Sequence, residues 1–168
     1  TAITDSCKNV KNGIIQFNGT ENLDRGVYIL VNQSKERYID FIVNENQRFT
    51  INGDISNLIN TLKCVNSKEN DQLFSYAKFM TGKDQEYRDA IAQTKGKSVQ
   101  DSSKIVSEKQ AALSTEMKKF DTDYMLRNKG TFIYDFMNMR TEKYPTTAPL
   151  ASNGRPDSIY QYYYYRNH

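Results

Sequence analysis

Two cysteines, Cys7 and Cys64, and a single histidine, the final His168, are the residues of this 168-residue chain with the most chemistry to offer. A structural zinc site takes four cysteine or histidine ligands, one more than the three present. A serine or cysteine nucleophile activated by histidine would depend on the last residue. The sequence contains no C-x-x-C pair, no Gly-rich phosphate loop and no G-x-S-x-G elbow. Cys7 and Cys64 could form a disulfide; closing a loop of that size stabilises by about 4 kcal/mol in the chain-entropy picture. An oxidising compartment would permit it. The alternative is one loose thiol near the terminus and one small buried hydrophobe, because Cys64 shares a strand face with Leu62.

The carboxylates offer less. Asp84 with Glu86, and Asp121 with Asp123, are pairs that could transfer protons or hold a cation. Glycosidic chemistry needs two carboxyl groups facing each other across a cleft. Residues two apart on a helix point in different directions, so solvated helix faces or helix ends are the expectation. Asp40 stands inside a strand and reads as a charge protecting a sheet edge. The 12 tyrosines are more suggestive. Tyr160, Tyr162, Tyr163, Tyr164 and Tyr165 form an aromatic cluster that gives large contact area at low entropic cost. It could stack on a sugar or dock a partner. Docking against a following domain is the expectation adopted, because Trp, the strongest anchor, is absent.

Composition narrows the classes further. Hydrophobic residues make up 38%, below the usual 45–50% of globular domains, so the surface must be very polar. Asparagine is abundant, with 16 copies. The net charge is +3, and the 23 Lys and Arg are spread without a block, so no electrostatic footprint for nucleic acid is visible. No apolar run approaches the roughly 18 residues of a transmembrane segment. Nothing in these residue types calls for a cofactor.

The elements that must position these residues fall into two kinds. Residues 1–66 read as an antiparallel β region with a period of two. Its strands are Ile14–Asn18, Gly26–Val31, Tyr38–Val43, Arg48–Gly53 and Thr61–Val65. Short polar connections make hairpins in a meander or sandwich the expected arrangement. Residues 67–143 read as helical. Ser67 caps a first helix whose stripe is Leu73, Ala77 and Met80, with a break near Gly82. A polar loop at Thr94–Ser103 leads to a helix from Ser103 to Arg127, with Ile105, Val106, Leu113, Met117, Phe120 and Tyr124 on one face. Asn128–Gly130 stops it, and Thr131 caps a short third helix. Residues 144–168 hold all three prolines and then the tyrosines, and read as a linker and a segment leading into a further domain. The fold class is therefore α+β, a small antiparallel sheet or sandwich followed by an antiparallel helical segment.

Five phrases in this order carry a resemblance: GVYIL at 26–30, YIDFIVNENQRFTINGD at 38–54, SKENDQLFSYAKFM at 67–80, FDTDYMLRNKGTFIYDFMNM at 120–139 and PDSIYQYYYYRNH at 156–168. Together they resemble an uncharacterised N-terminal domain that precedes the thioredoxin-like module of Bacteroidetes envelope thiol-disulfide oxidoreductases. The resemblance implies a parent protein with a C-x-x-C site beyond His168. It implies export to the periplasm or anchoring at the cell envelope, after removal of a signal peptide. The expected partners are the C-terminal thioredoxin-like domain of the same polypeptide and that domain's client proteins. No catalytic residue of the module maps onto this chain. The expected function is a non-catalytic accessory domain that positions the redox module or its clients. The competing expectation is a stand-alone envelope binding protein for a glycan or peptide, and scattered carboxylates offer a weaker case for a hydrolase.

Overall fold

The computed structural model describes residues 3–7, 10–34, 36–140, 149–155, 157, 159 and 160. The fold is α+β. Its elements are β1 (Gly26–Val31), β2 (Arg37–Val43), β3 (Thr50–Asn52), a 3-10 turn at Ile55–Asn57, α1 (Leu58–Thr61), β4 (Lys63–Val65), α2 (Lys68–Ala92), α3 (Val99–Arg127) and α4 (Phe132–Arg140). The chain divides into two compact units, Thr1–Met117 and Lys118–His168.

In the first unit the strands form two separate two-stranded antiparallel sheets, β1 with β2 and β3 with β4. Gly26 pairs with Val43, and the register holds to Leu30 opposite Ile39 before a bulge on β2. Tyr28, Leu30, Ile39 and Phe41 share one face. Ile39 packs with Leu62 and Phe74, and Leu30, Ile51, Leu58, Cys64 and Leu73 close around them. Tyr28 stacks on Phe41, which meets Phe49 edge-on. This core therefore draws on both hairpins, α1 and the first turns of α2.

The expected strand Ile14–Asn18 is absent. Lys11 and Ile14 make an isolated bridge around Asn12 and Gly13, both at positive φ (53° and 75°). Ile15 and Phe17 beyond it are exposed. Arg48–Gly53 shortens to β3, and Thr61–Val65 shortens to β4 because Thr61 belongs to α1. The extra helical turn has a readable cause. Asp54 accepts from the Ser56 N–H at 2.9 Å, and Thr61 Oγ1 accepts from the Asp54 N–H at 2.8 Å.

Ser67 does cap α2, with the Asn70 N–H donating to its Oγ at 3.3 Å. Asn66 immediately before it turns the chain at φ 68°. Asn70 is fully buried. Its Oδ1 accepts from the Ile42 N–H at 2.7 Å, and its Nδ2 donates to the Ile42 carbonyl at 2.8 Å. One carboxamide thus completes the edge of β2 as a neighbouring strand would. Gln47 does the same to Leu23, accepting from its N–H at 2.8 Å and donating to its carbonyl at 2.9 Å.

The expected break at Gly82 does not occur; α2 runs through it. The loop before α3 is shorter than expected, and α3 starts at Val99. Ser98 caps it, accepting from the Asp101 N–H at 3.1 Å while its hydroxyl donates to the Asp101 carboxylate at 2.7 Å.

In the second unit, the end of α3 buries Tyr124 and Asn128. The Asn128 side chain donates to the Tyr124 carbonyl at 2.8 Å, and Gly130 turns the chain at φ 81°. Thr131 Oγ1 then caps α4 by accepting from the Tyr134 N–H at 3.3 Å, and α4 buries Ile133.

Two substitutions test these local causes. Asn70→Ala leaves both Ile42 backbone groups unpaired, at about 1–3 kcal/mol each, so urea unfolding should show a loss of roughly 2–6 kcal/mol. A loss under about 1 kcal/mol would mean that water replaces the clamp. Gly82 sits in the helix interior with no atom within 4 Å of an added Cβ. Gly82→Ala should stabilise by about 0.5–1 kcal/mol and raise the melting temperature by about 1–4 °C.

Candidate functional site

Of the carboxylates singled out for acid–base chemistry, Asp84 and Glu86 lie on α2 and are taken up by cations. Lys83 donates to Glu86 at 2.8 Å and reaches Glu116 on α3 at 2.5 Å. Lys109 on α3 donates to the other Glu86 oxygen at 2.6 Å. The pairs 83–116 and 86–109 run in opposite senses, as an antiparallel helix hairpin requires. Asp84 pairs with Arg88 one turn along. The hydrogen bond from Lys109, and then that from Lys83, push the Glu86 carboxyl down to about 2. Bonding to Glu116 and then to Glu86 pushes the Lys83 ammonium up.

An open groove of about 410 Å³ lies beside this network, lined by Glu86, Asp89, Ala90, Ile105, Glu108 and Lys109. Glu86 has both oxygens engaged and stays ionised at neutral pH, so it has no proton to give there. Asp121 is half-buried and Asp123 exposed on α3, which matches the divergence expected of residues two apart. Asp40 is half-buried on β2 opposite Ile29.

Cys7 and Cys64 are both half-buried thiols. Burial pushes the Cys64 thiol up, the Asp71 charge adds to this, and hydrogen bonds from Ser67 oppose it. Its Sγ lies 3.9 Å from the Val65 carbonyl. A thiol held in that form is a poor nucleophile at neutral pH.

Tyr160 is 38% exposed, and its N–H donates to Asp157 Oδ1 at 3.3 Å. Ile159 beside it is exposed too. Tyr162, Tyr163, Tyr164 and Tyr165 lie outside the described residues.

One feature suited to contact is β1. Its alternation sends Tyr28 and Leu30 to the core and Val27, Ile29 and Val31 to the other face. Ile29 is 45% exposed and Val31 48%. Among the described residues β1 pairs with β2 alone, so its outer edge presents open backbone groups. The period-two pattern of GVYILV carried this signal, but alternation alone does not say which of two apolar faces turns inward.

No family model, curated protein or solved structure matches this chain.

The charge network sets a pH dependence with a definite sign. The Glu86 carboxyl is lowered from 4.5 to about 2. Its contribution is therefore complete above about 4.5 and is lost as pH falls through about 2. Lys83 is raised from 10.5, so its contribution is complete below that value and is lost as pH rises beyond it. Carboxyl-detected NMR should find Glu86 titrating near 2. A midpoint near 4.5 would mean that the pairs are open in solution.

Proposed function

We propose that this chain is a non-catalytic accessory domain of a periplasmic or envelope-anchored thioredoxin-like thiol-disulfide oxidoreductase. It positions the redox module of the same polypeptide, or that module's client proteins. The observation that carries the reading is the open edge of β1, with Ile29 and Val31 turned outward. An edge of this kind binds an extended segment through main-chain hydrogen bonds and adds apolar contact from alternate side chains. The phrase resemblance supplies the partner. The ion-paired state of Glu86 and the raised thiol of Cys64 support a binding role over a chemical one. The hairpin behind that edge serves as a rigid platform for the contact.

A second reading, a stand-alone envelope protein that binds an extended peptide, is favoured by the same open edge, which suits a peptide better than a glycan.

Three measurements test the proposal. In an insulin-reduction assay this chain should show no turnover above free dithiol; turnover lost in Cys64→Ser would overturn the non-catalytic reading. A reading frame that runs past the His168 codon into a C-x-x-C module supports the redox connection, and one that stops there favours the peptide-binding reading. In the parent protein, Ile29→Lys with Val31→Lys should weaken partner contact by roughly tenfold or more, because each buried aliphatic contributes about 1.5–3 kcal/mol. Unchanged contact in the doubly substituted protein would remove β1 from the interface.

A further inference from the structure

Asn-Gly occurs four times, at Asn12, Asn18, Asn52 and Asn153. This dipeptide has an intrinsic chemistry. The glycine backbone nitrogen attacks the asparagine side-chain carbonyl carbon, a C–N bond forms, and the amide C–NH2 bond breaks to release ammonia. Water then opens the resulting succinimide to aspartate or isoaspartate. Glycine is the most permissive follower because it has no Cβ to shield its nitrogen or restrict its dihedrals. The reaction needs an unengaged Gly N–H, a side chain free to fold back over it, and a backbone able to leave its present conformation.

The four sites differ sharply on those requirements. At Asn153 both partners are committed. The Gly154 N–H donates to the Ala151 carbonyl at 2.8 Å, and Asn153 Oδ1 accepts from the Arg155 N–H at 3.0 Å. Asn52 lies in β3, paired with Lys63. Gly53 packs so closely that an added Cβ would lie 2.9 Å from Leu58 Cδ1. Ring closure there would have to break the strand pair. Asn12 and Gly13 occupy the two central positions of a tight turn, closed by the Ile14 N–H donating to the Lys11 carbonyl at 2.9 Å. That turn must open before the side chain can reach the Gly13 nitrogen.

Asn18 comes nearest to these requirements: its Gly N–H is unengaged, its backbone is open, and its side chain is held only by another exposed side chain. It lies in exposed chain outside any helix or strand, and among the described residues no hydrogen bond engages the Gly19 N–H. The nearest atom to an added Gly19 Cβ is the Glu21 carbonyl oxygen at 3.6 Å, so the backbone has room to turn. Gln16 Nε2 donates to Asn18 Oδ1 at 3.1 Å. A donor there draws electron density from the amide carbonyl and offsets charge on its oxygen as the nitrogen attacks.

We propose that Asn18 is a spontaneous deamidation site, with Gln16 as a positioning residue. Each event lowers the formal net charge of +3 by one, to +2. It places a carboxylate next to exposed Ile15 and Phe17. The isoaspartate form also lengthens the backbone at that point.

The test is peptide mapping of the whole folded chain after incubation in mildly alkaline buffer, with an isoaspartyl-specific label. Asn18 should convert first and Asn12 more slowly. Asn52 and Asn153 should lag Asn18 by roughly tenfold or more, the ratio given by about 1.4 kcal/mol of added barrier. In urea the four rates should converge. Gln16→Leu should slow Asn18 without affecting Asn12, and Gly19→Val should suppress conversion at Asn18 alone. Conversion of Asn52 or Asn153 at the pace of Asn18 in the folded chain would overturn the proposal, as would an Asn18 that converts only in urea.

Discussion

The buried carboxamide of Asn70 is the constraint on which the first unit depends. It bonds the N–H and the C=O of Ile42 at once, so the outer edge of β2 ends on a side chain from the first turn of α2. A buried amide is stabilising only when its partners are in place, which fixes the helix start in position and angle. Ser67 caps that same turn and also accepts from Asn70 Nδ2 at 2.9 Å. Asn44 and Asn46 bind Glu69 and the Asn66 carbonyl, at 3.0 Å and 2.6 Å. One turn further along, Phe74 then enters the core against Ile39 and Leu62. The abundance of asparagine thus has a structural use: short amides replace backbone partners where the strands are too short to supply them.

Much of this architecture was legible in the sequence, and the losses have physical reasons. Alternation placed β1 to the residue and β2 to within one, because each strand finds its partner one tight turn away. Ser67 marked the start of α2, and the stop at Asn128–Gly130 and the cap at Thr131 held for α3 and α4. Ile14–Asn18 has the same alternation but lacks a neighbouring edge among the described residues, and pattern without a partner makes no strand. Gly82 suggests a break by its residue type, yet one glycine does not end a long helix whose flanking turns are paired, here by Lys83 and Glu86. The cap at Ser98 was readable as Ser-x-x-Asp. Asn70 was not readable, because nothing local distinguishes it from a solvated helix residue. Its meaning lies 28 residues away, at Ile42.

The candidate site divided along the same line. The charge pairs of α2 could be recognised as solvated faces from their spacing, but their partners Lys109 and Glu116 come from another helix. The outward turn of Ile29 and Val31 was invisible in an apolar stretch with two usable faces. A chain with 38% hydrophobic residues that still leaves Ile29 and Val31 exposed on one strand holds apolar surface outside its core.

The most direct test of the Asn70 clamp is native-state hydrogen exchange at the Ile42 amide. If the carboxamide joins the hairpin to α2 as one cooperative body, Ile42 should exchange only through the opening that also exposes Phe74, with the same free energy and denaturant dependence. Fast exchange at Ile42, while Phe74 stays protected, would show that the hairpin edge opens independently and would contradict the account.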